Sequence, residues 1–211
     1  MGKLYLVRHG ETVANAGGRL QGWMDAELND KGRTQARETS AYYKNIHLDA
    51  VYCSTLKRAR ETAEILAAPH GLPVHAEPDL REFHFGVWEG LNHEEINARD
   101  PEEWAKFFVQ PTALRVQDGE TFAGLQARMV QAWHHIQAQE GPDKDILLVS
   151  HGGSLRTLIC YFLGLDLDYM WRLRLENLST TCFEFWDDRP VLNCANATFY
   201  RQPAGPGKTL W

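Results

Sequence analysis

The chain has 211 residues, and its composition of 44% hydrophobic and 24% charged residues is ordinary for a folded globular protein. This length can bury a large core, and we expect residues 1–211 to form a single domain. The formal net charge of -6 opposes a general attraction to nucleic acid or to anionic membranes, so neither is a predicted partner.

The start of the chain and its cysteines bear on its location. The first apolar run, at residues 4–7, is too short for a secretory signal, and no stretch approaches transmembrane length. The four cysteines form no C-x-x-C pair, and none has zinc-ligand spacing to a nearby histidine. We therefore expect buried thiols in a reducing, cytoplasmic compartment, with no metal and no cofactor.

Short apolar runs alternate with helical patterns in the first half of the chain. Residues 3–7 are typical of a buried strand, and residues 30–44 predict a helix with Asn29 or Asp30 as its cap. A second strand is predicted at 50–53, a helix at 58–68 and a short strand at 74–75.

The second half continues this alternation and ends differently. Residues 92–109 predict one or two short helices broken near Pro101, and a clear apolar face predicts a long helix across 122–136. A strand at 146–149 and a helix at 153–162 follow. Runs at 180–186 and 191–194 predict a hairpin around a turn at 187–190, and the tail at 203–207 is predicted to be loose.

These elements predict an α/β fold. Strands that are apolar on both faces and alternate with helices indicate a mostly parallel central sheet covered on both sides, and the late hairpin indicates an antiparallel edge. We therefore expect a three-layer sandwich with a small helical cap inserted at about residues 83–137. Active sites in such sheets lie at the carboxyl ends of the strands.

Two of the predicted strands end in a histidine that is followed by glycine. The first ends in Arg8-His9, and the third ends just before His151. Glycine lets backbone N–H groups approach an anion, and a following helix adds its positive end. Arg58 lies in the first turn of a helix, where a cation opposes the helix dipole and a phosphate ligand would explain it.

Each of these residues also has an ordinary interpretation. A histidine at a strand end is more often a hydrogen-bonded structural residue, and Glu82 could be a surface acid. Arg58 could instead form a surface salt bridge with Glu61 or Glu64. Together, however, two arginines, two histidines and a carboxylate at one rim favour a phosphate site.

The segment Leu6-Val7-Arg8-His9-Gly10-Glu11-Thr12 resembles the signature of the histidine phosphatase superfamily, which has the phosphoglycerate mutase-like fold. The resemblance covers nearly the whole chain. Its other motifs are Asn15, Gln21-Gly22-Trp23, Leu28 with Lys31-Gly32, Gln35-Ala36, Ser54 with Arg58-Ala59 and Thr62-Ala63, Leu80-Arg81-Glu82, Gly86 with Trp88-Glu89-Gly90, Gly119-Glu120-Thr121, and Val149-Ser150-His151-Gly152-Gly153.

The resemblance implies a role for each catalytic residue. His9 would be the nucleophile that forms a phosphohistidine intermediate. Arg8, Arg58 and a protonated His151 would bind the nonbridging phosphate oxygens without a metal. Glu82 would protonate the leaving alcohol and then deprotonate the attacking water. Further substrate-binding groups are implied at Asn15, Gln21, Gly22 and Gly152.

The resemblance favours a phosphatase of small phosphorylated metabolites over a phosphoglycerate mutase or a non-catalytic phosphate binder. Residues 81–90 resemble both alpha-ribazole phosphatases and broad-specificity phosphatases, and this choice stays open. His84 could face substrate or solvent, with neither favoured. The aromatic residues of the cap are expected to be core rather than pocket, namely Trp88, Trp104, Phe107 and Phe108. The hairpin edge could pair in a homodimer or be covered.

Overall fold

A six-stranded sheet organises the protein, whose computed structural model describes residues 2–187 and 189–201. The strands are β1 (Lys3–Arg8), β2 (Ala50–Ser54), β3 (Val74–Glu77), β4 (Ile146–Ser150), β5 (Thr180–Trp186) and β6 (Arg189–Ala197). They lie in the order β3-β2-β4-β1-β5-β6. The first four strands are parallel to one another, β5 pairs antiparallel with β1, and β6 pairs antiparallel with β5. The predicted mostly parallel sheet with an antiparallel edge is confirmed. The predicted loose tail at 203–207 lies outside the described residues.

The longer α-helices follow the predicted pattern, with ends within one residue of the predicted bounds except for the helix predicted across 122–136, which continues to residue 140; the short helix at 13–16 was not predicted. The α-helices are α1 (Val13–Ala16), α2 (Asp30–Tyr43), α3 (Lys57–Ala67), α4 (His93–Arg99), α5 (Pro101–Val109), α6 (Phe122–Glu140) and α7 (Gly152–Leu163). The predicted break near Pro101 separates α4 from α5. This position suits proline, because the first turn of a helix leaves its N–H groups unpaired anyway. Asn29 caps α2 by accepting from the backbone N–H of Gly32.

The two faces of the sheet are covered by different helices. Along β1, Leu4 and Leu6 belong to one buried cluster with apolar residues of α6 and α7. The alternate residues Tyr5 and Val7 belong to a second cluster with residues of α2 and α3. Because neighbouring side chains of a strand point to opposite faces, this division gives the three predicted layers.

Helix α6 belongs to the layer beside the sheet. Its residues Met129, Trp133 and Ile136 are buried in the same cluster as the strands. Within residues 83–137, helix α5 contributes Trp104, Phe107 and Phe108 to the wall of the cavity that is described below. The cap bounds and the single-domain assignment stay predictions.

Strand β6 is longer than the predicted 191–194 at both ends, because it begins at Arg189, includes Pro190 and ends at Ala197. Pro190 pairs with Phe185 at the outer edge of the sheet. Proline has no N–H to donate, and an edge strand tolerates this loss. The proline that favours a turn in the sequence therefore lies inside the hairpin strand.

The register of the strands brings the two predicted histidines together. Arg8 of β1 is opposite Ser150 of β4, and Cys53 of β2 is opposite Val149 of β4. The carboxyl ends of these three strands therefore lie side by side, and His9 and His151 follow two of them.

Candidate active site

His9 is buried at the carboxyl end of β1, with 3% of its surface exposed. Its Nδ1 lies 2.7 Å from the carbonyl oxygen of Gly10. A carbonyl can only accept a hydrogen bond, so Nδ1 carries the proton in the neutral ring and Nε2 carries the lone pair. Asn177 further holds the His9 backbone, because its Nδ2 donates to the His9 carbonyl at 2.9 Å.

The surroundings of His9 favour this neutral form. Burial lowers the pKa of His9 well below its usual value, and the positive charges of Arg58 and Arg8 lower it further. The hydrogen bond to Gly10 acts in the opposite direction. The imidazole therefore stays unprotonated at neutral pH, and a neutral imidazole is the form that can act as a nucleophile.

His151 lies next to His9, with the two ring centroids 5.1 Å apart. Its Nε2 is 2.8 Å from the hydroxyl of Ser54, while its buried Nδ1 has no hydrogen-bond partner among the described residues. Burial lowers the pKa of His151 well below its usual value, and Arg58 adds to this effect. The protonated form implied by the resemblance therefore needs the negative charge of a ligand.

Arg58 is held by backbone carbonyls in a buried position, with 1% of its surface exposed. Its guanidinium donates to the carbonyl of Met24 at 2.8 Å and to that of Gly22 at 2.7 Å. Burial lowers the pKa of Arg58 to about 10, so the group remains a cation. The alternative surface salt bridge is wrong, because Glu61 and Glu64 pair with other arginines.

Two more arginines meet at the start of α7. Arg8 donates from Nη1 to the carbonyl of Leu175 at 2.8 Å, and its buried Nε has no partner among the described residues. Arg156 donates from Nη1 to the carbonyl of Gly152 at 2.8 Å. A methyl group placed on Gly152 would lie 3.1 Å from Arg156 Nη1 and 3.4 Å from Arg8 Nε. The two guanidinium groups therefore lie around this glycine.

Arg156 was not among the sequence candidates. A signal for it exists, since it is the one charged residue of the otherwise apolar or small segment 152–163. An arginine in a buried helix needs partners for its guanidinium, and it finds them in backbone carbonyls and in the ring of Trp171 at 5.1 Å. Burial lowers the pKa of Arg156 to about 10.

The carboxylate of Glu82 lies at the N-terminus of α7. Its Oε2 accepts from the backbone N–H of Gly153 at 3.1 Å. Its Oε1 accepts from the backbone N–H of Ser154 at 3.0 Å and from that of Phe83 at 2.9 Å. A methyl group on Gly153 would approach Oε1 to 2.6 Å, so glycine is needed here for the carboxylate to sit against the helix end.

The predicted amides Asn15 and Gln21 are tied together through Thr12. The Thr12 hydroxyl lies 3.1 Å from Asn15 Oδ1 and 3.0 Å from Gln21 Oε1. The hydroxyl has one proton, and Asn15 Oδ1 also accepts from the Thr12 backbone N–H at 3.2 Å, so both amide oxygens have a donor and the amide nitrogens remain as donors for an anionic ligand. Gly22 has a φ of 51°, and a methyl group there would overlap Glu89 Oε1 at 2.1 Å. Glycine is therefore required at this turn.

A cavity of about 270 Å³ joins most of these groups. Among the predicted site residues it is lined by Arg8, His9, Asn15, Gln21, Gly22, Arg58, Glu82 and Gly152. His151 is not part of the wall, because it is fully buried beside the His9 ring. Residues that sequence reasoning missed also line the cavity, among them Arg19, Arg156 and Trp171.

The four cap aromatics divide into three groups. Trp88 is fully buried core and donates from Nε1 to Asp100 at 2.7 Å. Trp104 and Phe107 pack with the core and also line the cavity. The prediction of core is wrong for Phe108, which lines the cavity and is 51% exposed. A residue at the rim of a cavity packs on only one side, and helical spacing does not reveal this.

His84 lies outside the cavity wall. Its ring is 4.6 Å from that of Trp23 by centroid distance, and its Nε2 is 3.8 Å from Glu89. About one third of its side chain is exposed. The ring therefore lies against Trp23 at a tilt of 50° and is partly open to solvent, and it does not line the cavity.

The structure also bears on metal binding and on membrane insertion. Among residues 2–187 and 189–201, no group of three or more histidine, cysteine or acidic side chains is placed to hold a metal ion. Within the same part of the chain, no helix combines the length and the apolar character that crossing a membrane requires.

Comparison with known proteins identifies relatives across nearly the whole chain. It is 38% identical over 178 residues to a probable phosphoglycerate mutase GpmB of Erwinia tasmaniensis, covering 84% of this chain and 82% of the relative. It is 30% identical over 201 residues to the adenosylcobalamin/alpha-ribazole phosphatase of Salmonella typhimurium, covering 95% and 99%. The solved structure of YhfR from Bacillus stearothermophilus matches with a TM-score of 0.90 at 34% identity, covering 95% of this chain and 100% of that one.

The family description that matches the chain is "Histidine phosphatase superfamily (branch 1)", and it covers residues 4–198. The signature around His9 and the motif around His151 both fall within this match. The resemblance seen in the sequence is therefore confirmed, and the chain belongs to branch 1 of the histidine phosphatase superfamily.

Proposed function

We propose that this protein is a metal-independent phosphomonoester hydrolase that acts on small phosphorylated metabolites through a phosphohistidine at His9. The observation that carries the proposal is the state of His9. Its Nδ1 is engaged by Gly10, its neutral form is favoured, and it lines a cavity with four arginines. A neutral nucleophile beside guanidinium groups suits attack on a phosphate dianion.

The first half of the reaction is transfer to the enzyme. The lone pair on His9 Nε2 attacks phosphorus, a nitrogen–phosphorus bond forms, and the bond from phosphorus to the alcohol oxygen breaks. Glu82, in its protonated form, gives its proton to the leaving oxygen. Arg8 and Arg58 donate to the nonbridging oxygens, and each has a buried Nε without a partner among the described residues.

The second half is transfer to water. The Glu82 carboxylate takes a proton from water, the resulting hydroxide attacks phosphorus, and the bond to Nε2 breaks. Inorganic phosphate and free His9 are the products. Arg156 is added to the predicted set as a third cation near the phosphate, because it lies beside Arg8 at Gly152.

His151 is proposed to act when the site is occupied. Its buried Nδ1 has no partner among the described residues, and an unpaired buried polar atom costs free energy. A bound phosphoryl group would supply both an acceptor and the negative charge that favours protonation. The Ser54 hydroxyl at Nε2 would hold the ring in place.

The same relatives suggest candidate substrates and a second function. The Salmonella relative makes alpha-ribazole 5′-phosphate the first candidate substrate. The Erwinia relative favours a mutase as the alternative. A mutase must keep phosphohistidine from water, whereas this cavity has the half-exposed Phe108 in its wall, which supports hydrolysis.

We further propose a cytoplasmic location, supported by four unpaired cysteines of which three are buried. A homodimer through the β6 edge stays a proposal that a mass measurement in solution tests.

The proposed function is tested by phosphate release from a generic aryl phosphate in EDTA, with wild type beside His9→Ala. The matched control is His93→Ala, since 70% of that side chain is exposed. We expect release by wild type and by the control, and none by His9→Ala. Activity that EDTA abolishes and zinc or magnesium restores would overturn the metal-free claim. Isomerisation of 3-phosphoglycerate with a bisphosphate primer, without release, would favour the mutase.

A further inference from the structure

A loop at residues 21–25 holds the guanidinium of Arg58. The backbone carbonyls of Gly22 and Met24 accept from its two terminal nitrogens, at 2.7 and 2.8 Å. At the end of the loop, the Asp25 carboxylate accepts from the backbone N–H of the first residue of α3 at 2.7 Å. The loop is therefore fixed to the helix whose arginine is proposed to bind phosphate.

Trp23 extends from this loop to the segment of Glu82. Its indole Nε1 donates to the backbone carbonyl of Glu82 at 2.8 Å. The indole ring also contacts residues on both sides of Glu82 in the chain. The guanidinium carbon of Arg81 lies 5.0 Å from the ring centroid, and the ring centroid of His84 lies 4.6 Å from it. The backbone N–H of Trp23 donates to Glu89 at 2.8 Å, so both its main chain and its side chain are held.

Burial alone does not account for Trp23, because 39% of its surface is exposed. It belongs to neither of the buried clusters that the described residues form, and it does not line the cavity. Its indole N–H instead makes a short, directional hydrogen bond, which fixes the position of the acceptor. The bond to the Glu82 carbonyl is therefore the contact by which Trp23 reaches the reacting groups.

The Glu82 carbonyl is held by two separate elements of the fold. Arg128 of α6 donates from Nη2 to the same oxygen at 2.8 Å. A carbonyl oxygen has two lone pairs, so Trp23 and Arg128 together use its full capacity. The carboxylate belongs to the same residue, so a displacement of this carbonyl redirects the carboxyl group. A misplacement of about 1 Å can cost about 10²-fold in rate, so these two bonds bear on catalysis.

We propose that Trp23 is a positioning residue for phosphoryl transfer, whose indole N–H holds the Glu82 main chain so that the carboxyl group reaches the leaving oxygen of a phosphate bound to Arg58. This inference rests on the proposed phosphatase function and deepens it. Trp23 lies outside the cavity wall and acts through Glu82, so its loss weakens proton transfer and leaves phosphate binding in place.

Trp23→Phe removes the indole N–H and keeps an aromatic ring. The matched control is Trp186→Phe, because Trp186 is 52% exposed at the end of β5. Two residues before it, Glu184 pairs with Lys3 at the start of β1, whereas His9 follows the other end of that strand. The control therefore makes the same change of residue type far from the reacting groups.

The assay measures kcat/KM for 4-nitrophenyl, phenyl and benzyl phosphate, whose leaving groups become steadily poorer while one ring is kept. This constant covers the steps up to departure of the leaving alcohol, so later hydrolysis of the phosphohistidine does not affect it. Calorimetry with inorganic phosphate checks the fold and the phosphate-binding groups separately. The same esters are then measured with Trp23→Phe introduced into Glu82→Gln.

We expect Trp23→Phe to lower kcat/KM at least about tenfold for benzyl phosphate and less than about twofold for 4-nitrophenyl phosphate, with the Kd of phosphate unchanged within about twofold. In the Glu82→Gln background the same change should have less than about a twofold effect, because no proton is left to position. Trp186→Phe should match wild type on all three esters.

An equal loss on all three esters, or no loss, would overturn the inference while phosphate release by wild type left the proposed function intact. A loss on benzyl phosphate that persists in the Glu82→Gln background would overturn it as well, because Trp23 would then act by another route. Weaker phosphate binding with equal losses would show a purely structural role. Absence of phosphate release by wild type from every ester would overturn the proposed function, and this inference with it.

Discussion

The proposed acid role of Glu82 can be separated from its structural role by Glu82→Gln. Glutamine keeps the shape of the side chain but has no proton to give to the leaving oxygen. Loss of a general acid costs about 10²- to 10⁴-fold when the leaving group is a poor one. We therefore expect a loss of this size in kcat/KM for an alkyl phosphate. An aryl phosphate needs less protonation, so its loss should stay below about tenfold.

The same change has a predictable effect on stability. Both Glu82 oxygens accept hydrogen bonds, Oε1 from Phe83 and Ser154 and Oε2 from Gly153. In glutamine one oxygen becomes an NH₂ group, so at least one backbone N–H loses its acceptor, at a cost of about 1–3 kcal/mol. Loss of the negative charge at the helix N-terminus adds about 0.3–1 kcal/mol. The free energy of unfolding, measured by urea titration, should therefore fall by about 1–4 kcal/mol.

The assay measures kcat/KM for ethyl phosphate and phenyl phosphate in wild type, Glu82→Gln and the control Glu94→Gln. Glu94 is a suitable control because 81% of its side chain is exposed at the start of α4. Equal losses on the two substrates would refute the acid role and leave Glu82 as a helix-capping residue. Full alkyl phosphatase activity in a folded Glu82→Gln protein would refute both the proposed acid role toward the leaving oxygen and the proposed base role toward water.

Two further predictions concern His9 and Arg128. Burial lowers the pKa of His9, so below about pH 6.5 the unfolded chain takes up a proton that the folded chain does not, and stability falls as the pH falls. His9→Gln should therefore flatten the slope of unfolding free energy against pH by up to about 1.4 kcal/mol per unit, and an unchanged slope in urea titrations would contradict the burial argument. Arg128 donates to the Glu82 carbonyl at 2.8 Å and pairs with Glu120 at 2.7 Å, so we expect it to position the Glu82 segment. Arg128→Met should cost about 2–4 kcal/mol of stability and lower kcat more than it raises KM, whereas a change in KM alone would argue against positioning.

Each of these two predictions has a matched control. His93→Gln replaces a histidine that is 70% exposed, so it controls for the loss of an imidazole that is not buried. Arg60→Met removes an exposed pair with Glu64, which should cost less than about 1 kcal/mol and leave kcat unchanged.

The sheet and the two histidines at its edge could be predicted from the sequence, because the physical signal there is local. Strands β1 and β4 are apolar on both faces, so their runs stand out and their ends are sharply marked by Arg8-His9 and by Ser150-His151. Parallel strands then bring those ends to one edge without any further information.

The outer cavity could not be predicted in the same way, because its wall is assembled from distant segments. Phe108 and Trp171 are 63 positions apart in the sequence, yet their ring centroids are 6.2 Å apart. An aromatic stripe has the same helical spacing whether it faces core or cavity. Arg156 is the one cavity residue of this kind that the sequence marks, because a single charge in an apolar helix must have partners. The sequence does not show which partners these are, since the Leu173 carbonyl is brought to Arg156 by the tertiary structure.

The central claim, a covalent phosphoryl group on His9, is tested most directly by the stereochemical course at phosphorus. A phosphomonoester made chiral with oxygen isotopes is hydrolysed by the wild-type enzyme, and the configuration of the released phosphate is determined by NMR. Two successive in-line displacements, first by His9 and then by water, predict overall retention. Overall inversion would mean that water attacks the substrate directly, and it would contradict the phosphohistidine mechanism.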